Sequence, residues 1–165
     1  MSASPISPDA FRQAMRHWAS GVAVVTTQFE GTMRAILITS FLSLSVDPPT
    51  VLVSIRRDGL THDLIQSSGI FAVHLLAADQ EDLAQRLGYQ NDASYRTLTS
   101  IPWRIGQSGA PILLHSLTYL DCRVTNALDT VDHTLFIGEV VDSSITDAEP
   151  LLHWNRAFRR LSLER

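Results

Sequence analysis

Two long segments that read as strands, residues 117–127 and 134–145, leave little freedom in how this chain folds, because only residues 128–133 join them. Asp129 and Asp132 in that connection have side chains that substitute for backbone groups in turns, so the pair reads as an antiparallel hairpin. Four further segments read as strands: residues 22–27, which are rich in β-branched residues, and residues 33–44, 50–55 and 70–76. Glu30-Gly31 turns the first into the second, which ends in Ser43-Leu-Ser45. Asp47-Pro48-Pro49 interrupts the next step, since proline cannot donate to a ladder. Residues 50–55 are nearly all apolar and are expected to be buried on both faces. The expected fold is mainly β with short helices. Its six antiparallel strands form a closed or nearly closed barrel, because closure removes exposed edges.

The helices are short and marked at their ends. Ser7 caps the first, Pro8 suits its first position and Asp9 its positive pole. Phe11, Met15 and Trp18 form its apolar stripe, expected in the core, and Gly21 stops it. Thr61 is expected to cap a second helix, with Asp63 in its first turn and Gly69 at its end. Asp79 is expected to cap residues 80–87, with Gly88 as the stop. Residues 89–109 read as loop, with a short apolar patch at Trp103 and Ile105. The tail, residues 150–161, is aromatic and basic. Its Trp154 and Phe158 are expected to form part of the contact surface of a homodimer.

The chain has 165 residues, enough for one domain, here residues 1–165. Its net charge of −4 argues against nucleic acid, and the basic run Arg156, Arg159, Arg160 reads as a solvated face. No apolar run reaches the roughly 20 residues that cross a bilayer, so no membrane association is expected. Met-Ser-Ala-Ser-Pro lacks the pattern of a secretory leader. With its single cysteine, Cys122, read as a small buried residue, the chain is expected in the cytoplasm. The six histidines do not pair at ligand spacing, so no metal site is expected. Dinucleotide-fold, P-loop and nucleophile-elbow motifs are all missing.

Three clusters carry chemistry. Asp132-His133-Thr134 places an imidazole at a strand mouth, where it serves either as a proton donor or orienting group, or as a turn histidine held by Asp132. Thr39-Ser40 and Ser43-Leu-Ser45 place hydroxyls at strand spacing, suited to the rim of a ligand or to ordinary edge polarity. Residues 56–62 join a strand to a helix start, where arginines and backbone N–H groups hold a phosphate, or form a solvated loop.

The order of several short motifs then resembles the flavin-reductase-like domain family, the split-barrel reductases of two-component flavin-dependent monooxygenases. The matching pieces are Phe11-Arg-x-Ala-Met15, Ala19-Ser-Gly-Val-Ala-Val-Val-Thr-Thr27, Ser40-Phe-x-Ser-x-Ser45, Asp47-Pro-Pro49, Phe71-Ala-Val73, Gly109-Ala-Pro111 and Asp132-His-Thr-x-Phe-x-Gly-Glu-Val140. The resemblance implies a six-stranded split barrel, working as a homodimer with a shared small-molecule pocket. It implies hydride transfer from NAD(P)H to FMN or FAD, with the reduced flavin diffusing to a partner monooxygenase. On this resemblance His133 is the catalytic candidate facing the nicotinamide. Thr39, Ser40, Ser43 and Ser45 would contact the flavin, and Arg57, Thr61 and His62 would lie near its phosphate. Leu37, His74, Trp154 and Phe158 would line the pocket.

The sequence departs from the family's usual pattern at Leu37, where a small polar residue is usual, and at Gly59, where serine is usual. His74 replaces a usual asparagine, and Arg156 and Phe158 a usual glycine and tyrosine. Each change removes a polar group or adds bulk. Three readings therefore stand: a NAD(P)H:flavin oxidoreductase; a flavin-free enzyme, with no cofactor, that cyclises or rearranges a polyketide-like secondary metabolite; and a non-catalytic binding module for flavin or another small ligand.

Overall fold

The computed structural model describes residues 5–90 and 92–162. The leader reading rests partly on residues 1–4, which lie outside the described residues. Helix α1 (Pro8–Met15) leads into β1 (Ser20–Gly21), β2 (Ala23–Phe29), β3 (Thr32–Ile38), β4 (Phe41–Val46) and β5 (Pro49–Arg56). Helix α2 (Leu60–Ser68) and β6 (Ile70–Leu75) follow, then a 3-10 turn (Ala78–Gln80) and helices α3 (Glu81–Gly88) and α4 (Ala93–Arg96). A small hairpin, β7 (Trp103–Ile105) and β8 (Pro111–Leu113), precedes the long hairpin β9 (Thr118–Asp129) and β10 (His133–Ile145). A last hairpin, β11 (Leu152–Trp154) and β12 (Ala157–Arg159), pairs with β1.

The main sheet has seven strands rather than six, in the order β3-β2-β6-β9-β10-β5-β4, and its ladder is not closed. The seventh arises because residues 33–44 are not one strand. The chain leaves β3 at one edge, crosses at Thr39-Ser40 and enters β4 at the other edge. Ser40 anchors that crossing: its carbonyl accepts from Ser54 N–H at 3.1 Å, and its hydroxyl donates to the Ser54 carbonyl at 2.9 Å. No periodicity signal marks such a jump, because both halves keep strand character.

The sheet is nevertheless rolled. One buried cluster draws Ile38 from β3, Val51, Val53 and Ile55 from β5, and Phe71, Cys122 and Phe136 from the middle strands. Residues near opposite ends of the strand order meet only if the sheet curls around them. Burying side chains such as Phe71 and Phe136 contributes roughly 2–3 kcal/mol each. A second cluster, with Val24, Ala35, Leu87 and Phe158, lies on the other side of β2 under α3 and the tail hairpin. β2 is thus buried on both faces. β5 is not, contrary to the expectation for residues 50–55: its inward residues alternate with half-exposed Thr50, Leu52 and Ser54.

Several end signals shift. Ser7 accepts from Ala10 N–H at 3.2 Å and caps α1, as expected. The helix ends at Met15, so Gly21 is a strand residue, not its stop. The stripe is not core either: Phe11, Met15 and Trp18 are 55%, 47% and 68% exposed. Gly59, not Thr61, is the N-cap of α2, and Thr61 is buried in its first turn. Gly69, at φ 67°, ends α2 as expected. The 3-10 turn, not a cap at Asp79, precedes α3, and Gly88 is its last helical residue. Residues 89–109 hold α4 and β7, so they are more ordered than a loop. Cys122 is buried as expected, and burial pushes its thiol up, out of the reactive range. No helix among the described residues is long and apolar enough to cross a membrane. The described residues hold no cluster of metal-binding side chains.

Candidate active site

Edge strand β3 forms one wall of a cleft of about 750 Å³, within the range of small-molecule sites. As the sheet's edge, β3 pairs only with β2 among the described residues. Its outer N–H and C=O groups along residues 34–38 therefore have no ladder partner, and backbone groups of this kind seek one. The opposite wall is the end of β5 at residues 54–56, the turn at Asp58-Gly59 and the start of α2 at Leu60-Thr61. Thr39 and Ser40 close one side, and Arg96 and His133 complete the lining.

The cleft is positively charged. Among the described residues Arg34, Arg56 and Arg96 line it against one carboxylate, Asp58. Arg56 is clamped by Asp58 through Nε at 3.0 Å and through Nη2, which raises its affinity for its proton. Among the described residues Arg34 and Arg96 make no ion pair. The Arg96 Nε is buried without any hydrogen-bond partner there. A buried donor left unsatisfied costs about 1–3 kcal/mol, and since Arg96 lines the cleft, a turn of its guanidinium toward a ligand acceptor would be stabilising. The first N–H groups of α2 have no intrahelical acceptor, and Gly59 offers no side-chain cap. The Thr61 hydroxyl adds a donor in the same corner. Two unpaired guanidiniums, a hydroxyl and a helix start form a cradle suited to a phosphate.

His133 stands where β10 pairs with the end of β5, opposite Arg56. Its Nδ1 lies 2.8 Å from an Asp132 carboxylate oxygen, and this contact holds the Asp132 carboxyl below its usual range. With Nδ1–H donating to Asp132, Nε2 is left for a ligand.

The cleft thus gathers His133, Thr39, Ser40, Thr61 and Leu37 from the expected residues and does not include the others. Leu37 borders it, but a branch of its side chain packs on α3, where a Cβ at Gly88 would come within 2.7 Å. Ser43 and Ser45 lie on exposed β4, the latter donating to the Asp47 carbonyl. Arg57 turns to Asp129 at 3.4 Å, so the guanidinium in the cleft is that of Arg56. His62 bonds Thr134 at 3.0 Å and Asp63 at 3.1 Å, bracing the hairpin beside His133. His74 is wholly buried, 3.1 Å from the Thr26 hydroxyl, and burial pulls it down to about 3, so it is neutral. Trp154 lies under Arg159 on the tail hairpin. Phe158 is 8% exposed and packs against Tyr89 and His153.

Arg34, Ser54, Asp58 and Arg96 were missed as site residues. Arg96 sits in a stretch read as loop, and nothing local relates it to a helix start 36 residues earlier.

The family model described as flavin reductase like domain matches residues 15–162. The FMN reductase (NADH) SmoA of Agrobacterium fabrum is 35% identical over 93% of this chain and 86% of its own length. An NADH-dependent flavin reductase of a Rhodococcus species is 33% identical over 96% and 89%. The reductase subunit HsaB of a flavin-dependent monooxygenase from Rhodococcus jostii is 32% identical over 96% and 80%. Among solved structures, the flavin reductase PheA2 superposes with a TM-score of 0.86 at 33% identity, covering 95% of this chain and 99% of its own. The NADH:FAD oxidoreductase SgcE6 of Streptomyces globisporus, in complex with NAD and FAD fragments, gives 0.86 at 29% identity, covering 98% and 99%.

Proposed function

This chain belongs to the flavin reductase like domain family, and from that premise we propose that it is a NAD(P)H:flavin oxidoreductase whose reduced flavin serves a partner monooxygenase. The observation that carries the reading is the cationic corner of Arg34, Arg96, Thr61 and the α2 N-terminus, beside an edge strand with unpaired backbone groups. The flavin-free cyclisation reading, with its place in secondary metabolism, finds no support among the relatives. Neither does the non-catalytic binding module.

A bound flavin beside a reduced nicotinamide supplies the hydride chemistry. The chain's residues do the binding and orienting. The edge of β3 offers alternating N–H and C=O groups to the polar rim of a flat heterocycle, and Arg96, Thr61 and the α2 N–H groups hold a phosphate. His133 Nε2, fixed by Asp132 on the other ring nitrogen, orients a carboxamide at the cleft mouth. Positioning of this kind would bring the hydride-donating carbon of the nicotinamide into line with the accepting ring nitrogen of the flavin.

Purified protein should oxidise NADH only when FMN or FAD is added, read at the reduced-nicotinamide absorbance band. Absence of both flavin binding and NADH oxidation at tens of micromolar flavin would overturn the reading. His133→Ala is expected to raise the KM for NADH about tenfold with a smaller change in flavin affinity, since one oriented hydrogen bond is lost. An unchanged KM would make His133 a turn residue only.

The homodimer is proposed through a second surface besides the expected tail, where Trp154 is 41% exposed. Phe158 is buried within its own protomer, whereas Leu42, Leu44 and Val46 of β4 are 56%, 43% and 90% exposed. The bulge between Ser43 and Ser45 puts these side chains on both faces of the strand, and exposed apolar groups clustered on one edge strand mark an interface. Leu42→Asp with Val46→Asp should convert a dimer to a monomer in sedimentation experiments. A mass unaffected by the double change would place the interface elsewhere.

A further inference from the structure

A second cleft, of about 310 Å³, lies between α1 and the turn of the tail hairpin. Phe11, Met15 and Trp18 line its α1 side, and Arg16, His153 and Arg156 complete it. It adjoins the main cleft, because Thr39 lines both. Trp18 and Thr39 also line a smaller recess of about 230 Å³ with Phe41 and Leu75. The apolar side chains of α1, with Trp18 just beyond it, therefore overlook a groove that continues from the main site.

The charge in this groove is unbalanced. Arg12 is paired with Asp9, but among the described residues neither Arg16 nor Arg156 makes an ion pair. The Arg16 Nε is buried and has no hydrogen-bond partner among them, the same condition found at Arg96 in the main cleft. Arg16 follows the last turn of α1, where a cation is favoured by the helix dipole. That preference accounts for the charge but not for a buried, unsatisfied Nε. Arg156 comes from another element and is held close. Asn155 N–H donates to the Arg16 carbonyl at 3.2 Å, and both Asn155 and Arg156 adopt positive φ, at 49° and 64°. In a chain of net charge −4, two unpaired guanidiniums beside an exposed indole suit one ligand chemistry: a phosphate with a flat aromatic base.

We propose that the α1–tail cleft is a subsite for the adenosine phosphate half of a dinucleotide whose reactive ring lies in the main cleft. Arg16 and Arg156 take the phosphate and Trp18 stacks the adenine. This inference rests on the reductase reading, and it makes the enzyme sensitive to the adenylate portion of its ligands. Two dinucleotides carry that portion, FAD and NADH, and they are distinguished by comparison with FMN and with reduced nicotinamide mononucleotide.

The test measures dissociation constants for FMN and FAD, and KM values for NADH and reduced nicotinamide mononucleotide. It uses the wild-type protein, Arg16→Gln, Arg156→Ala and Trp18→Leu. If FAD is the occupant, wild type prefers FAD to FMN, and each arginine change lowers that preference about tenfold. If NADH is the occupant, the same loss appears in the preference for NADH over the mononucleotide. Because the readout is a ratio within one protein preparation, partial unfolding of a variant does not mimic it. Raising salt should erode the preference in wild type and less in the variants. Adenosine monophosphate should compete with the favoured dinucleotide, and less so in Arg156→Ala. Equal affinities in wild type for both members of each pair, or ratios unchanged in all three variants, would overturn the subsite. If neither flavin binds, the reductase reading fails separately, and adenosine monophosphate alone still decides the subsite. Quenching of indole fluorescence that is lost in Trp18→Leu and Arg156→Ala supports it, and absence of quenching overturns it.

Discussion

Arg96→Met should weaken flavin binding by one to two orders of magnitude. The side chain keeps similar length and apolar stem but loses a guanidinium that lines the main cleft and whose Nε has no hydrogen-bond partner among the described residues. A hydrogen bond to a charged group is worth about 1.5–3 kcal/mol, which corresponds to roughly 10–150-fold in affinity. Arg34 and the α2 N-terminus remain, so binding should be weakened rather than abolished. The dependence of affinity on salt should also flatten, because one cation facing the phosphate is gone. Arg56→Met is the control: Arg56 is already clamped by Asp58, so its removal should cost much less. Equal losses at both positions would mean that the phosphate does not lie beside Arg96.

The second large effect is on stability. His74 is wholly buried, and burial lowers its folded-state pKa to about 3, against about 6.5 when unfolded. In the folded state it accepts a proton only at strongly acid pH, whereas the unfolded chain accepts one near pH 6.5. Its contribution is therefore complete above about pH 6.5 and is lost as pH falls below it, at about 1.4 kcal/mol per pH unit, down to about pH 3. Between pH 6.5 and 5 the protein should lose about 2 kcal/mol, measured by denaturant unfolding at both values. His74→Asn should flatten this segment, since an amide can bond the Thr26 hydroxyl without titrating. Carboxylates such as Asp92 and Asp132, held below their usual range by local hydrogen bonds, act only below about pH 4 and are exposed enough to matter little. Parallel pH profiles for wild type and His74→Asn would show that burial at this position is relieved by another route.

Both effects arise at residues whose role depends on distant neighbours. Strand segments, the hairpin at Asp129–Asp132, the Ser7 cap and the Gly69 stop were legible from local pattern, because periodicity and turn chemistry are local properties. So was the family, through motifs that kept their order. The residue-by-residue site was legible only in part. His133, Thr39, Ser40 and Thr61 meet in the cleft. Arg57 and His62 occupy the same short segment as Arg56 and Thr61, but the direction of each side chain depends on whether it faces the cleft or the β9–β10 hairpin. Ser43 and Ser45 shared a motif with Ser40, yet the chain had by then crossed to the other edge of the sheet.

Amphipathic stripes misled for a related reason. Phe11, Met15 and Trp18 have helical spacing, and spacing establishes that they share a face but not what covers it. His74 and Leu37 looked like pocket residues because a family pattern places ligand contacts nearby; packing sends one into the interior and the other against Gly88. From its residues alone this chain was bound to form a twisted antiparallel sheet with short helices, since alternation, β-branching and turn residues act over a few positions. The number of strands, the open ladder and the placing of Arg34, Arg96 and His133 around one cleft came from rolling the sheet. Rolling is driven by burial of apolar side chains from strands far apart in the chain, and such contacts have no local signature.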